Sequence, residues 1–285
     1  MNEFILYADS ASDINQKRAE AYGVKLIELR LTMDGTPAED EIDIPGFYKR
    51  LRNGAVASTS AANVATFTEQ FEADLAAGKD ILYIAFSSGL SGTYGCAVLA
   101  KEELEERFPG RKVMVADSLA ASSGYGLLVY NASKMKKDGN SIDEIYQFVC
   151  DNRLNLCHQF TVDDLFFLKR GGRISAATAV AGSMLNIKPV LHVDDEGHLV
   201  NIAKARGRIA AIKALADKME QTAIEPAGQK VFIGHGDCEE DAKLLADMIR
   251  ERLGVSDIEI YYIGPVIGAH SGPGTLALFY LGTKR

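Results

Sequence analysis

Ile81-Leu82-Tyr83-Ile84-Ala85-Phe86 runs directly into Ser87-Ser88-Gly89-Leu90-Ser91-Gly92-Thr93-Tyr94, and this junction decides the fold. An unbroken apolar and aromatic run of that length suits a strand buried on both faces. A helix predicted from about Tyr94 through Glu105 turns its amides and positive dipole end toward the loop between them. Glycines in that loop let backbone N–H groups come close to a ligand. No Lys or Arg lies between Lys79 and Lys101, so an anion here meets neutral donors only. Such a site suits one carboxylate better than a triphosphate. The plainer reading makes the serines and Thr93 helix caps and nothing more.

Working outward, strand and helix patterns alternate on both sides of the junction. Phe4–Tyr7 and Lys25–Leu31 read as strands, with a helix after Asp13 between them. Helices follow at Pro45–Arg52 and Val64–Ala76. Beyond the junction come a strand at Lys112–Ala116 and a long helix from about Leu119 to Lys137. Ser141-Ile-Asp-Glu144 is a capping box, and Ile142, Ile145, Phe148 and Val149 form an apolar stripe at helical spacing. This is a parallel α/β plan, whose ligands bind outside the carboxyl ends of the strands. Three of those ends are polar: Asp9-Ser-Ala-Ser, Ser87-Ser-Gly and Asp117-Ser.

The second half differs. It predicts a strand at Gln159–Val162, a small-residue helix over Ser175–Leu185, and a hairpin turning at Asp194-Asp-Glu-Gly197. Helices at Arg208–Glu220 and Glu239–Leu253 and strands at Val231–Gly234 and Ile258–Ile263 complete it. The reading is α/β with some antiparallel pairing. At 285 residues the chain exceeds the usual single-domain size, so two domains sharing a cleft are expected.

Composition narrows the function. Apolar residues make up 47% and charged residues 25%, as in ordinary globular proteins. A net charge of −8 argues against a nucleic-acid partner. No stretch approaches a membrane span, and the N-terminal apolar run is too short for a signal peptide. Cys96, Cys150, Cys157 and Cys238 are scattered without a Cys-x-x-Cys pair, which reads as reduced thiols in a cytoplasmic protein.

His270 sits in Gly264-Pro-Val-Ile-Gly-Ala-His-Ser-Gly-Pro-Gly274, a glycine- and proline-rich loop of the kind that presents a side chain to a ligand. His158, His192, His198 and His235 lie in or beside strand patterns and read as structural. Lys169-Arg-Gly-Gly-Arg173-Ile-Ser175 and Lys204-Ala-Arg206-Gly-Arg208 place guanidiniums at helix starts, with phosphate-binding chemistry. No dinucleotide fingerprint, P-loop or His-Glu-x-x-His motif is present. Ser91, His270 and Asp117 supply the side chains of a serine hydrolase, but Gly89-Leu-Ser-Gly-Thr93 misses the nucleophile-elbow pattern by one position.

Taken in order, these segments resemble the DegV family of bacterial fatty-acid-binding proteins. The resemblance rests on Asp9-Ser-Ala-Ser-Asp13, Ser58-Thr-Ser60, Ser87 to Tyr94, Asp117-Ser118, Gly171-Gly-Arg-Ile-Ser175, Leu185-Asn-Ile-Lys-Pro189, Lys204-Ala-Arg206-Gly207 and Gly264 to Gly274. It departs at Ala61-Ala62-Asn63, where the family's Thr-Ser loop usually continues with proline and serine. The resemblance implies a two-domain fold, a parallel three-layer α/β domain over 1–155 and a smaller mixed-sheet α/β domain over 156–285, with one long-chain fatty acid between them. It implies that Thr59, Ser60 and Ser91 hold the carboxylate, Ser88 shapes the loop, and Arg173, Arg206 and His270 meet a phosphate or a partner. That partner would be a separate ATP-dependent kinase subunit that phosphorylates the carboxylate. The chain would then be a substrate-presenting protein, not catalytic alone and without cofactor or metal. The competing readings are a stand-alone lipid serine hydrolase or acyltransferase, and a sugar or dihydroxyacetone binder, which needs a polar pocket.

Overall fold

The structure is a computed structural model that describes residues 3–38, 42–175 and 186–285. Its first sheet is parallel, in the order Val24–Ile27, Phe4–Asp9, Asp80–Ala85, Val113–Asp117. Side chains alternate across it as the strand period requires. Tyr7, Ile81 and Tyr83 pack on helices Val64–Ala76 and Thr93–Arg107 through Phe67, Phe71, Ala97 and Leu104. Leu6, Leu82 and Ile84 pack on helices Ser122–Lys137 and Ile142–Asn152 through Leu127, Leu128, Ile145 and Val149. Both faces are covered, which is why the Asp80–Ala85 strand is buried throughout.

The second sheet is mixed, in the order Leu199–Arg206, Ile187–Val193, Leu156–Thr161, Leu276–Leu281, Val231–His235, Ile258–Tyr262. Only the Val231–His235 and Ile258–Tyr262 pair is parallel. Helices Arg208–Thr222 and Glu239–Leu253 cover one face. The opposite face, through Phe160, Phe232 and Phe279, joins the core that contains Leu127 and Leu128. Helix Ser122–Lys137 is therefore shared between the two sheets, and its run from Ser122 to Val129 is buried on every side.

Several expectations need correction. The strand predicted at Lys25–Leu31 is two strands in different sheets. Arg30–Met33 pairs antiparallel with Thr36–Pro37 and Ala57–Ser60 in a third, small sheet, so Ser58-Thr59-Ser60 is strand and not loop. The break falls at Leu29, whose N–H donates to Ser10 Oγ at 2.9 Å. The Gly264–Gly274 loop contains a helix, Pro265–Ser271, because Pro265 stands in the first turn, where its fixed φ fits and no N–H is needed. Leu276–Leu281, unassigned from sequence, lies in the middle of the second sheet. That sheet is the larger of the two, although the second half is shorter in residues. The helix expected over Ser175–Leu185 lies outside the described residues from position 176 onward. All four cysteines are free thiols, but only Cys157 is fully buried.

Asp9 ties the carboxyl ends of the first sheet together. Fully buried, its carboxylate accepts from Tyr83 Oη at 2.6 Å, Ala11 N at 2.9 Å and Phe86 N at 3.2 Å. Burial raises its pKa from 3.8 to about 6, against the lowering effect of those donors. A carboxyl raised in the folded state favours folding most when protonated. Its contribution is complete below pH 4 and lost as pH climbs through 6. Relative to Asp9→Asn, wild-type unfolding free energy should therefore fall by on the order of 3 kcal/mol between pH 4 and pH 7. Chemical denaturation across that range measures it, and parallel curves for the two proteins would contradict it.

Candidate functional site

The polar ends of the parallel strands and the inner face of the mixed sheet enclose one pocket of about 410 Å³. Its walls are mainly apolar, with Leu90, Phe160, Leu168, Val193, Ile263, Val266, Ile267 and Phe279 among them. Its polar lining includes Thr59, Ser88, Ser91, Arg173 and His270, five of the seven residues that the sequence singles out. The other two are not among the lining residues. Ser60 is exposed, because strand alternation sends it to the opposite face from Thr59. Arg206 is exposed at the end of the Leu199–Arg206 strand.

The hydroxyl loop is held from several sides. Ser88 N–H donates to Asp117 Oδ1 at 3.2 Å, and Ser91 N–H to Ser87 O at 3.1 Å. Ser91 Oγ lies 2.8 Å from Thr93 Oγ1 and accepts from Thr93 N at 3.2 Å, so it also serves the start of the Thr93–Arg107 helix. Ser87 Oγ–H donates to Gly197 O at 2.9 Å, linking the loop to the hairpin turn of the second half. Gly89 answers a packing need: a Cβ there would stand 2.6 Å from Glu196 O. Its freedom serves the approach of that turn as well as any ligand.

Arg173 reaches across in the same way. Its guanidinium donates to Leu90 O at 3.1 Å and to Gly171 O, so part of its work is to hold the hydroxyl loop. Next to it, His270 Nε2 lies 2.6 Å from Thr59 Oγ1, while the buried Nδ1 has no hydrogen-bond partner among the described residues. Burial first, then the Arg173 and Arg170 cations, push the imidazole down to about 4, leaving it neutral at pH 7. A buried orphan N–H costs more than an idle lone pair, and nearby cations favour the lone pair. We therefore assign the proton to Nε2, where it donates to Thr59 and frees the Thr59 hydrogen for a bound acceptor.

His158, read from sequence as structural, also lines the pocket. Nε2 accepts from Ala121 N at 3.2 Å and Nδ1 lies 3.3 Å from Leu156 O. Burial pushes it down to about 3, so it is a satisfied, neutral wall residue. A catalytic triad is not assembled. Ser91 pairs with Thr93, His270 with Thr59, and Asp117 accepts from the Ser88 and Leu119 amides. The apolar lining equally disfavours a sugar.

This arrangement can hold a single acidic head group on neutral donors at one end of an apolar chamber. The model of the DegV family, described as "Uncharacterised protein, DegV family", matches residues 4–283. The chain belongs to the DegV family. It is similar to a DegV domain-containing protein of Clostridium perfringens, at 49% identity over 100% of this chain and 99% of that one. Among solved structures it is similar to a DegV family protein from Thermus thermophilus described by its fatty acid binding, at 30% identity and TM-score 0.86, covering 99% of this chain and 100% of that one. It is also similar to a DegV family protein from Eubacterium eligens loaded with heptadecanoic acid, at 25% identity and TM-score 0.84, covering 98% and 99%. The parallel sheet with a separate mixed sheet is the fold of these DegV proteins.

Sequence reasoning missed three residues that shape this DegV site. Asp13 accepts from Gly264 N at 2.8 Å and from Ser122 Oγ, and Tyr48 Oη donates to Ile263 O at 2.8 Å. Arg285 donates to Leu119 O and Asp194 O, both at 2.7 Å, binding the hairpin turn to the first half. Asp13 stands in the Asp9–Asp13 segment, but nothing local gives any of the three a role at the site, since each acts on a carbonyl or amide far away in the chain. Gly171 does have one, as half of a glycine pair, and a Cβ there would stand 2.2 Å from His270 Nδ1. Gly171→Ala should displace the ring from Thr59. Its imidazole, followed by NMR titration, should then rise from about 4 toward the ordinary histidine range, and an unmoved titration would contradict the contact.

Proposed function

We propose that this DegV protein binds one long-chain fatty acid in the pocket, with its carboxylate on the Thr59 and Ser91 hydroxyls and its chain along the apolar walls. The observation that carries this reading is an apolar chamber of about 410 Å³ whose polar end offers neutral donors, one of them oriented by a neutral imidazole. The fatty acids held by the Thermus and Eubacterium proteins support it. Burying about 15 methylenes at roughly 0.8 kcal/mol each gives on the order of 12 kcal/mol gross, which outweighs desolvating one well-bonded carboxylate.

The protein presents this acid to a separate ATP-dependent kinase subunit that forms the acyl phosphate, and it is not catalytic alone. Residues 1–155 and 156–285 act as its two domains. Ser88 shapes the hydroxyl loop, while Ser60 is exposed on the opposite face of its strand from Thr59. Arg173 at the rim and Arg206 outside it meet the transferred phosphate or the partner, since a guanidinium pairs more strongly with a phosphate dianion than with a carboxylate satisfied by hydroxyls.

Protein purified without added ligand should yield a long-chain fatty acid on extraction and mass spectrometry. A lipid-free protein that also fails to take one up would refute the reading. Ser91→Ala removes a hydrogen bond to a charged acceptor and should weaken binding by roughly 1.5–3 kcal/mol. Equal affinity in calorimetric titration would put the carboxylate elsewhere. Because Arg206 does not line the pocket, Arg206→Ala should leave lipid content unchanged while acyl-phosphate formation by a cognate kinase falls. Loss of both together would assign it to the binding site.

A further inference from the structure

By chain order, Ile263–Ser271 belongs to the second sheet, between the strands Ile258–Tyr262 and Leu276–Leu281. Its side is nevertheless fastened to the first half. Tyr48 Oη donates to Ile263 O and Gly264 N donates to Asp13 Oδ1, each at 2.8 Å, and His270 meets Thr59 at 2.6 Å. Gly268 lies directly on Tyr48, where a Cβ would stand 2.6 Å from the hydroxyl. Toward its own sheet the helix continues through Gly272 and Gly274, with φ of 77° and 80°, a backbone that glycine adopts freely.

Asp13 is the anchor that carries charge. It stands at φ 57°, just past the end of the first strand, and its other oxygen accepts from Ser122 Oγ and from Ser123 Oγ at 3.3 Å. Three donors from two parts of the fold converge on one carboxylate. An asparagine could not replace it, since an amide has one acceptor oxygen and brings two hydrogens among those donors. Arg18 on the Gln16–Tyr22 helix and Tyr48 on the Ile44–Arg52 helix are the other ionisable groups that interact with it.

We propose that Asp13 is a positioning residue of the ligand site: through the Gly264 N–H it docks the Pro265–Ser271 helix on the first half, and so sets His270 against Thr59 and Val266 and Ile267 into the pocket wall. The consequence for binding rests on the fatty-acid reading above. The consequence for His270 does not.

The test uses the full chain in two variants. Asp13→Asn removes the carboxylate. Gly264→Pro keeps the Asp13 residue but removes the N–H, at a φ of −64° that proline adopts, and its Cβ would stand 2.9 Å from Asp13 Oδ1, so it breaks the same tie from the other side. His270 is followed by NMR titration and palmitate binding by calorimetry. In both variants the imidazole should leave its position at about 4 and rise toward the ordinary histidine range, and palmitate affinity should fall about tenfold, as expected for losing one oriented donor to a carboxylate. A His270 titration identical to wild type in the folded variants overturns the proposal. So does a shifted His270 with palmitate affinity unchanged. If Asp13→Asn does not fold, Gly264→Pro decides alone. If His270 shifts while wild type itself takes no palmitate, the positioning role stands and the fatty-acid reading falls.

Discussion

The pocket depends on hydrogen bonds that cross between the two sheets at its rim. Ser87 to Gly197, Arg173 to Leu90, Thr59 to His270 and Gly264 to Asp13 each join a residue of the first half to one of the second. Behind them the halves share a core in which Leu6 and Leu128 lie in one cluster with Phe232 and Phe279. Neither half alone presents both an apolar chamber and an acceptor-binding end. The site is a property of their contact, and the glycines at 89 and 197 mark where the halves come close at its rim.

The electrostatics favour an anion that carries little charge. The imidazole beside Thr59 is neutral at pH 7, held down by burial and by two arginines, and the hydroxyl loop has no cation of its own. Arg173 comes nearest, yet its guanidinium is occupied by the Leu90 and Gly171 carbonyls. Neutral donors can hold a carboxylate because two or three charge-assisted hydrogen bonds compensate its desolvation. A phosphate dianion placed there would be undercompensated. Arg206 lies outside the wall as an exposed cation.

How much of this was legible in the sequence depends on the range of the interaction. Helix Glu239–Leu253 was read to the residue, and the Ser141–Glu144 capping box and the Asp194–Gly197 turn were read correctly, because caps and turns are local chemistry. The hydroxyl loop was legible because a buried strand, a polar loop and a helix follow one another without a gap. The Pro265–Ser271 helix was hidden by its flanking glycines and prolines, which signal a loop until one proline is seen to stand in the first turn. Leu276–Leu281 follows a Gly-Pro-Gly and ends the chain's last apolar run, and only its pairing with strands more than a hundred residues away in one direction explains its place. Ser60 and Thr59 could be told apart only once the segment was known to be a strand, since a loop imposes no alternation.

The bonds at the rim also set what each way of widening the pocket would cost. Separating the halves as rigid bodies would expose the shared core, at about 25 cal/mol for every Å² of apolar surface uncovered. Releasing the Pro265–Ser271 helix asks for much less. Its ties to the first half through Ile263, Gly264 and His270 are worth about 1 kcal/mol net apiece, or about 3 kcal/mol together, which corresponds to an open population of somewhat under one in a hundred. The apolar contacts of Val266 in the shared core and of Ala269 in the cluster with Phe47 and Tyr48 add to that cost. Moving this helix leaves the sheets in place and uncovers less of the shared core than parting them would. The same helix carries both His270, which meets the Thr59 hydroxyl, and Val266 and Ile267 of the pocket wall, so the polar and apolar linings are tied to one element.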